Sequence, residues 1–358
     1  MIRVLLVHAD LIPHYRIPIY SYLSKYLENY GFGLTVTSDG IEVGSPYSIE
    51  FPFAPMRLSA LSIARFVHRQ KFDVIIDFMG LKHRYLFPTY LIAKGIMGRK
   101  MIYWGQGRDL LDPKRKIKNL AYAAEQAMCS AIILYAEHLK KYVPKHFYKK
   151  VFIANNTLHL TYKGIPPGVT RENVLAEYGI NTKKNIICVG RMQKRKRLDH
   201  LAEALVHMNR PDIGLILVGP DPEGVLNKIG GDKIFKLGPI YGDKKFDLLS
   251  SADVYCLPGA VGLSIVDAFN CGLPFVTEEG DESAEMMYLK NGVNGFIVPK
   301  DNIPMLIQKL LLLLDDDDLR RRFSDAAKRE IEENASINMF CTGFKDALFY
   351  ATAHINRK

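Results

Sequence analysis

Five cations crowd seven positions just after a glycine: Gly190 is followed by Arg191, Lys194, Arg195, Lys196 and Arg197. The residues before it, Ile186, Ile187, Cys188 and Val189, read as a fully buried strand, and an amphipathic helical pattern begins at Leu198. Cations at the carboxyl end of a strand stand where open α/β sheets bind ligands, so the spacing predicts an anionic ligand. A second passage repeats the geometry. Val254 to Leu257 reads as a strand, Pro258, Gly259 and Gly262 leave little side chain in the way, and a helix is expected from about Leu263. The N–H groups of a helix start suit phosphate, which puts Gly262, Leu263 and Ser264 beside the ligand and Asp267 one turn further on.

Two amino-terminal loops also carry chemistry. Strand IRVLLVH runs into HADLIPHYRIP, which offers His8, Asp10, His14, Tyr15 and Arg16 in place of a G-x-G-x-x-G fingerprint, and so argues against a dinucleotide-binding dehydrogenase. The loop YWGQGRD follows another apolar strand and presents Gln106, Arg108 and Asp109 at a turn made by two glycines. His83 and Arg84 are weaker candidates. A purely structural role is equally open to a single His or Arg in such loops, as it is to Trp104 and Gln106. Glu285 reads first as an exposed helix glutamate, and second as a polar contact beside the same ligand.

The elements that must position these residues alternate. Strands, some continuously apolar (DVIIDFM, IGLILVG), are separated by helical stretches such as IPIYSYLSKYLENYG, LSALSIARFVHRQ and RLDHLAEALVHM, a pattern that implies α/β architecture with mostly parallel sheets. The stretches DPKRKIKNLAYAAEQ, AEHLKKYVPKHFYKK and VLNKI also read as helical, and four helix-like stretches are expected after the strand GFIVP. The run Asp315 to Asp318 reads as a helix start or solvated corner, because no ligand spacing for a metal accompanies it. Pro166 and Pro167 mark a linker.

The 358 residues suffice for two domains, and 48% hydrophobic with 24% charged residues is a globular composition. Apolar runs fall short of the ~20 residues of a membrane span, and Met1 leads straight into a strand, so a cytoplasmic location is expected. Five cysteines in no paired spacing support neither a disulfide framework nor zinc. Residues 1–150 hold 22 Lys and Arg against 11 Asp and Glu, whereas the remainder holds 26 against 27. The excess charge thus lies in the amino-terminal half, partly in basic stretches with interleaved aromatics. Such stretches suit an anionic membrane surface or a lipid diphosphate; a solvated basic face is the alternative. No nucleic-acid-binding module accompanies them, and nucleic acid is not expected as a partner.

GRMQKRK and DAFNCGLP together resemble the nucleotide-sugar half of the retaining glycosyltransferases of family 4 (group 1), which have two Rossmann-like domains around an interdomain cleft, the GT-B fold. In that family a Gly-Arg at a strand end and a Lys five residues later hold the donor diphosphate; Gly190, Arg191 and Lys196 match. The family also carries two glutamates separated by seven residues. Asp267 stands in the second place, where the resemblance implies contact with ribose, and Gly259 stands in the first, near the donor sugar. His14, Tyr15 and Arg16 resemble the acceptor-side loop, some members of which read His-Tyr-Arg-x-Pro, and Gln106 takes the place of a histidine that contacts the donor sugar. A glutamine there can hydrogen-bond but cannot do acid–base work. Arg108 falls on the acceptor side.

The resemblance implies domains at about 1–156 and 157–335, with a last helix at about 336–358 packing back on the first. It implies a glycosyltransferase that retains configuration, needs neither metal nor cofactor, and moves sugar from a nucleoside diphosphate sugar to a glycan or lipid-linked acceptor in polysaccharide synthesis at the inner face of a membrane. A non-catalytic nucleotide-sugar or glycan-binding partner and a sugar-nucleotide epimerase stay open beside it.

Overall fold

A computed structural model describes residues 1–353 apart from 79–90, 109, 111–115, 163 and 281–282, and leaves the side chains of 116–118 undescribed. His83, Arg84 and Asp109 lie outside the described residues. The chain is an α/β protein that divides into two compact units, one of Met1–His159 with Ser336–Lys358, the other of Leu160–Ala335.

In the first unit, strands β1 (Ile2–His8), β3 (Phe32–Ser38), β5 (Phe53–Pro55), β6 (Val74–Phe78), β7 (Lys100–Gly105), β8 (Ala131–Leu134) and β9 (Val151–Ile153) form one parallel sheet in the order β5-β3-β1-β6-β7-β8-β9. Two short strands, β2 (Leu11–Ile12) and β4 (Gly40–Ile41), pair separately. Continuous burial along β6 and β8 fits strands covered on both faces. Trp104 is the centre of the core: its buried indole meets the rings of Phe78, Tyr135, Phe340 and Phe344 at centroid distances of 4.5, 5.8, 5.8 and 4.8 Å. Phe340 and Phe344 belong to the last helix, Ile337–Thr352, which packs on β7, β8 and β9.

In the second unit, β10 (Lys184–Val189), β11 (Ile213–Val218), β12 (Ile234–Lys236), β13 (Val254–Cys256), β14 (Phe275–Glu278) and β15 (Gly295–Val298) run parallel in the order β12-β11-β10-β13-β14-β15. This is the doubly wound order, and its direction of winding reverses between β10 and β13. A crevice opens outside the carboxyl ends of the strands at such a switch point. The first unit has the same reversal between β1 and β6.

Some local expectations change. Pro144, which cannot continue a helix, divides AEHLKKYVPKHFYKK into two 3-10 turns, Glu137–Tyr142 and Lys145–Lys150. VLNKI is a 3-10 turn as well. Three α-helices rather than four follow β15 among the described residues, Ile303–Asp315, Asp317–Asn334 and Ile337–Thr352, because Asp317–Asn334 runs unbroken for 18 residues. Asp316 caps that helix by accepting from the Leu319 N–H at 2.8 Å, and Asp315 pairs with Lys184 at 2.7 Å.

Candidate functional site

At the switch point of the second sheet, β10 and β13 are in register only over Ile186↔Val254 and Ile187↔Tyr255. Where they part, the buried Tyr255 hydroxyl donates to the Val189 carbonyl (2.7 Å) and accepts from its N–H (2.9 Å), so the strand end keeps its hydrogen bonds while the crevice opens. Gly190 follows with φ +124°, a conformation that side chains rarely adopt. A Cβ on Gly190 would also lie 2.8 Å from Lys196 Nζ. The bare glycine thus admits the ammonium directly over the strand exit.

Lys196 ends the 3-10 turn Lys194–Lys196 and is only 7% exposed, whereas Arg191, Lys194 and Arg195 are exposed. Burial lowers its pKa, opposed by the Cys188 thiol and reinforced by the like charges of Arg195 and Arg191. A buried ammonium with two arginines beside it is a site short of negative charge.

The β13–α loop is stitched to this turn. The Gly259 N–H donates to the Lys196 carbonyl and the Ala260 N–H to the Arg195 carbonyl, each at 3.0 Å. A Cβ on Gly259 would fall 2.1 Å from the Arg195 carbonyl oxygen and 2.7 Å from the Lys196 carbonyl carbon. No side chain fits there with the basic turn in this position. Gly259 is therefore a packing requirement of this chain. Beyond it Gly262 has φ +58°, and the helix Ser264–Asn270 begins at Leu263 with no side-chain cap. The Ser264 hydroxyl donates to the Val261 carbonyl at 2.7 Å.

Asp267 lies in the first turn of that helix, and its Oδ2 accepts from Lys245 Nζ at 2.9 Å. The two side chains are 13% and 19% exposed, and Asp267 Oδ1 is buried without a hydrogen-bond partner. Lys245 comes from the helix Gly242–Ser250 and had no signal in the sequence beyond its charge. Glu285 corrects the first reading made of it. It is 5% exposed, because the 3-10 turn Ala284–Tyr288 packs inward with Tyr288 fully buried.

Behind the basic turn in sequence, Arg197 Nη2 donates to Asp301 Oδ1 at 2.5 Å and to His200 Nε2, and His200 Nδ1 lies 2.5 Å from Glu278 Oε1. Nothing in the sequence had singled out His200, Glu278 or Asp301. They stand 78 and 23 residues apart, and only the sheet order brings them together.

In the first unit, pairing of β2 with β4 carries Glu42 to the first loop, where its N–H donates to the Ile12 carbonyl at 3.0 Å. His14 Nδ1 is 3.7 Å from Glu42 Oε2, with both side chains about one-third exposed. Tyr15 is half-buried and meets the His14 ring edge-on at 5.8 Å. Arg16 is 3% exposed: its guanidinium lies 5.2 to 5.9 Å from the Trp104, Phe78, Tyr15 and Tyr135 rings, and Nη2 donates to Asn156 Oδ1 at 3.0 Å. His8 is buried too, with Nδ1 2.6 Å from the Tyr20 hydroxyl. In the second loop, the Gly107 N–H donates to the Tyr103 hydroxyl (2.9 Å) and the Gly107 carbonyl accepts from Gln126 Nε2 (2.7 Å). This clamp leaves Gln106 half-buried, and Arg108 stacks 3.8 Å from the Tyr142 ring centroid.

His14 and Gln106 belong to the first unit, and Arg191, Lys196 and Asp267 to the second. Within the second, Gly190, Lys196 and Gly259 are in direct contact.

Comparison of the sequence with curated proteins finds no match. Among solved structures, the chain is similar to a glycosyltransferase from Rickettsia africae (16% identity, TM-score 0.76, covering 100% of this chain and 99% of the other). It is similar also to Anabaena HepE in complex with UDP-glucose (14%, 0.77, 97% and 99%). A third is sucrose-phosphate synthase from Thermosynechococcus elongatus (13%, 0.74, 99% and 100%). These likenesses establish the fold, two Rossmann-like domains of the GT-B type. Residues 170–330, nearly all of the second unit, match the family model for glycosyl transferases group 1.

Proposed function

We propose that the chain is a glycosyltransferase that takes a nucleoside diphosphate sugar as donor and passes the sugar, with retention, to a glycan or lipid-linked acceptor. The observation that carries the reading is the buried Lys196 ammonium over Gly190 at the β10/β13 switch point. The group 1 match over the same unit and the UDP-glucose complex of HepE support the donor class.

As the glycosidic bond breaks, the leaving diphosphate gains charge. Lys196, with Arg191 beside it, meets that charge from a preorganised, poorly hydrated position, and the helix start at Leu263–Ser264 adds N–H donors. These groups supply the neutralisation that a metal ion gives other transferases. The proposed sugar end has no acid at Gly259, so stabilisation comes from the diphosphate side. Asp267 Oδ1 is enclosed, so Oδ2, which already accepts from Lys245, is the oxygen that accepts from a ribose hydroxyl. His14, paired with Glu42, and Tyr15 meet the acceptor, with Arg108 beside its ring partner Tyr142. Arg16, enclosed by rings, holds their loop in place.

One observation favours a second reading. A chain that cannot place a glutamate at position 259 could bind nucleotide sugar without transferring it. Calorimetry against a panel of nucleotide sugars, followed by assays of donor hydrolysis and transfer, separates the two. Arg191→Ala is expected to lower turnover about a hundredfold and donor affinity less. Donor binding with no transfer to any acceptor offered would leave the binding partner as the better account.

A further inference from the structure

Arg197, His200, Glu278 and Asp301 close a hydrogen-bonded ring beginning one residue after Lys196. Arg197 Nη2 donates to Asp301 Oδ1 and to His200 Nε2, and the Asp301 N–H donates to Glu278 Oε2 at 3.1 Å. A guanidinium can only donate, so Nε2 accepts and the ring proton sits on Nδ1, which donates to Glu278 Oε1 at 2.5 Å. Each group thereby has a complementary partner. The Glu278 side chain is 1% exposed at the end of β14, and the residue's own N–H donates to the Pro258 carbonyl at 3.2 Å. That joins the ring to the loop whose Gly259 and Ala260 hold the Lys196 and Arg195 carbonyls.

His200, Glu278 and Asp301 have the donor chemistry and proximity of a divalent cation site. Arg197 already donates into two of the three, so the cation of this cluster is the guanidinium. The backbone gives the ring its meaning. Arg197 (φ +55°) and Asp301 (φ +61°) both sit in the left-handed region, which disfavours residues with side chains, and they are the two halves of one ion pair.

We infer that Glu278, His200 and Asp301 are positioning residues for Lys196: by anchoring Arg197 in its left-handed turn they hold the Lys196 ammonium over Gly190, where a diphosphate is to be met. The inference rests on the donor-site reading for its purpose, and on the ring alone for its geometry.

Trace labelling of amines with acetic anhydride, read by peptide mass spectrometry, tests it in the full chain. Asp301→Asn keeps the shape and tolerates the left-handed backbone, and Glu278→Gln keeps the volume. In the parent protein Lys196 is expected to react at least tenfold more slowly than exposed Lys194. In both variants it should accelerate several-fold, while Lys245, a mostly buried lysine of the same unit, stays slow. Unchanged Lys196 reactivity, or a parallel rise at Lys245 that signals general loosening, overturns the inference. Inorganic pyrophosphate should protect Lys196 in the parent and protect it less in the variants. If pyrophosphate does not protect the parent while the variants still accelerate, the anchoring stands and the donor-site reading falls.

Discussion

Lys196 carries its charge where the protein penalises it, and that penalty gives the residue-scale account a testable cost. Burial, with Arg195 and Arg191 adding to it, holds its folded pKa below the ordinary value of 10.5. Below the folded pKa both folded and unfolded chains are protonated and the penalty is fully felt. It is relieved as pH rises from the folded toward the unfolded pKa, because there the unfolded chain binds more protons. Lys196→Met is therefore expected to stabilise the protein by about 1 kcal/mol at neutral pH while weakening diphosphate binding roughly ten- to hundredfold, with the gain in stability shrinking in alkali. Thermal melts at neutral and alkaline pH check both parts; a variant less stable than the parent at neutral pH contradicts them. Gly259 gives the opposite case. Gly259→Glu, which restores the residue type of the resembling family, should not restore chemistry but push the basic turn away, at a cost of about 2–4 kcal/mol, and weaken diphosphate binding. A Gly259→Glu protein with parental melting temperature and nucleotide affinity would refute the packing argument. Arg191, Lys196 and Asp267 could be named because each lies in a short contiguous phrase, GRMQKRK or DAFNCGLP, that resembles a family motif. The partners His200, Glu278, Asp301, Lys245 and Glu42 could not, since each is brought to its place by a sheet order that no local pattern encodes.

Elements were more legible than their joints. Buried parallel strands announce themselves as continuous apolar runs, and IGLILVG and DVIIDFM form β11 and β6 as read. Short turns were misread where a charged, aromatic-rich stretch mimics a helix: Pro144 interrupts one, and Lys150 Nζ instead donates to the Gln126 and Cys129 carbonyls (2.7 and 2.6 Å), closing the end of the helix Lys116–Met128. The Lys245–Asp267 pair is a joint of the same kind, tying the helix Gly242–Ser250 to Ser264–Asn270. Removing only the lysine leaves a mostly buried carboxylate alone. Lys245→Met should cost about 3 kcal/mol, and the double variant Lys245→Met with Asp267→Leu should recover much of that. Denaturant melts of the four proteins in the cycle measure the coupling, and additive losses would show that the pair does not join the helices.

For the whole molecule, the uneven charge is the feature that neither sheet explains. The excess of cations lies in residues 1–150, where exposed Arg65, His68 and Arg69 share a face of the helix Ala60–Gln70 with exposed Leu61, and exposed Lys94 accompanies exposed Leu91 and Ile96. No helix of the described residues is long and apolar enough to cross a membrane. Docking on anionic lipid is the proposal for the basic surface of residues 1–150, to which the aromatic-interleaved stretch AEHLKKYVPKHFYKK adds exposed Lys141, Lys145 and Lys149. Binding to phosphatidylserine vesicles should be strong at low salt and fade as screening rises, each cation contributing about 1 kcal/mol near the surface. Equal binding to neutral vesicles would remove it.

The central claim is that Lys196, seated over Gly190 at the switch point of the second sheet, receives the diphosphate of a nucleotide sugar. Calorimetric titration of the parent and Lys196→Ala with the nucleoside diphosphate that binds best, and with its nucleoside, tests that claim most directly. The account predicts a roughly ten- to hundredfold loss of diphosphate affinity in the variant, the scale of one charge-assisted contact, with nucleoside binding unchanged. Equal diphosphate affinity in the two proteins, or a loss that is the same for the nucleoside, would contradict it.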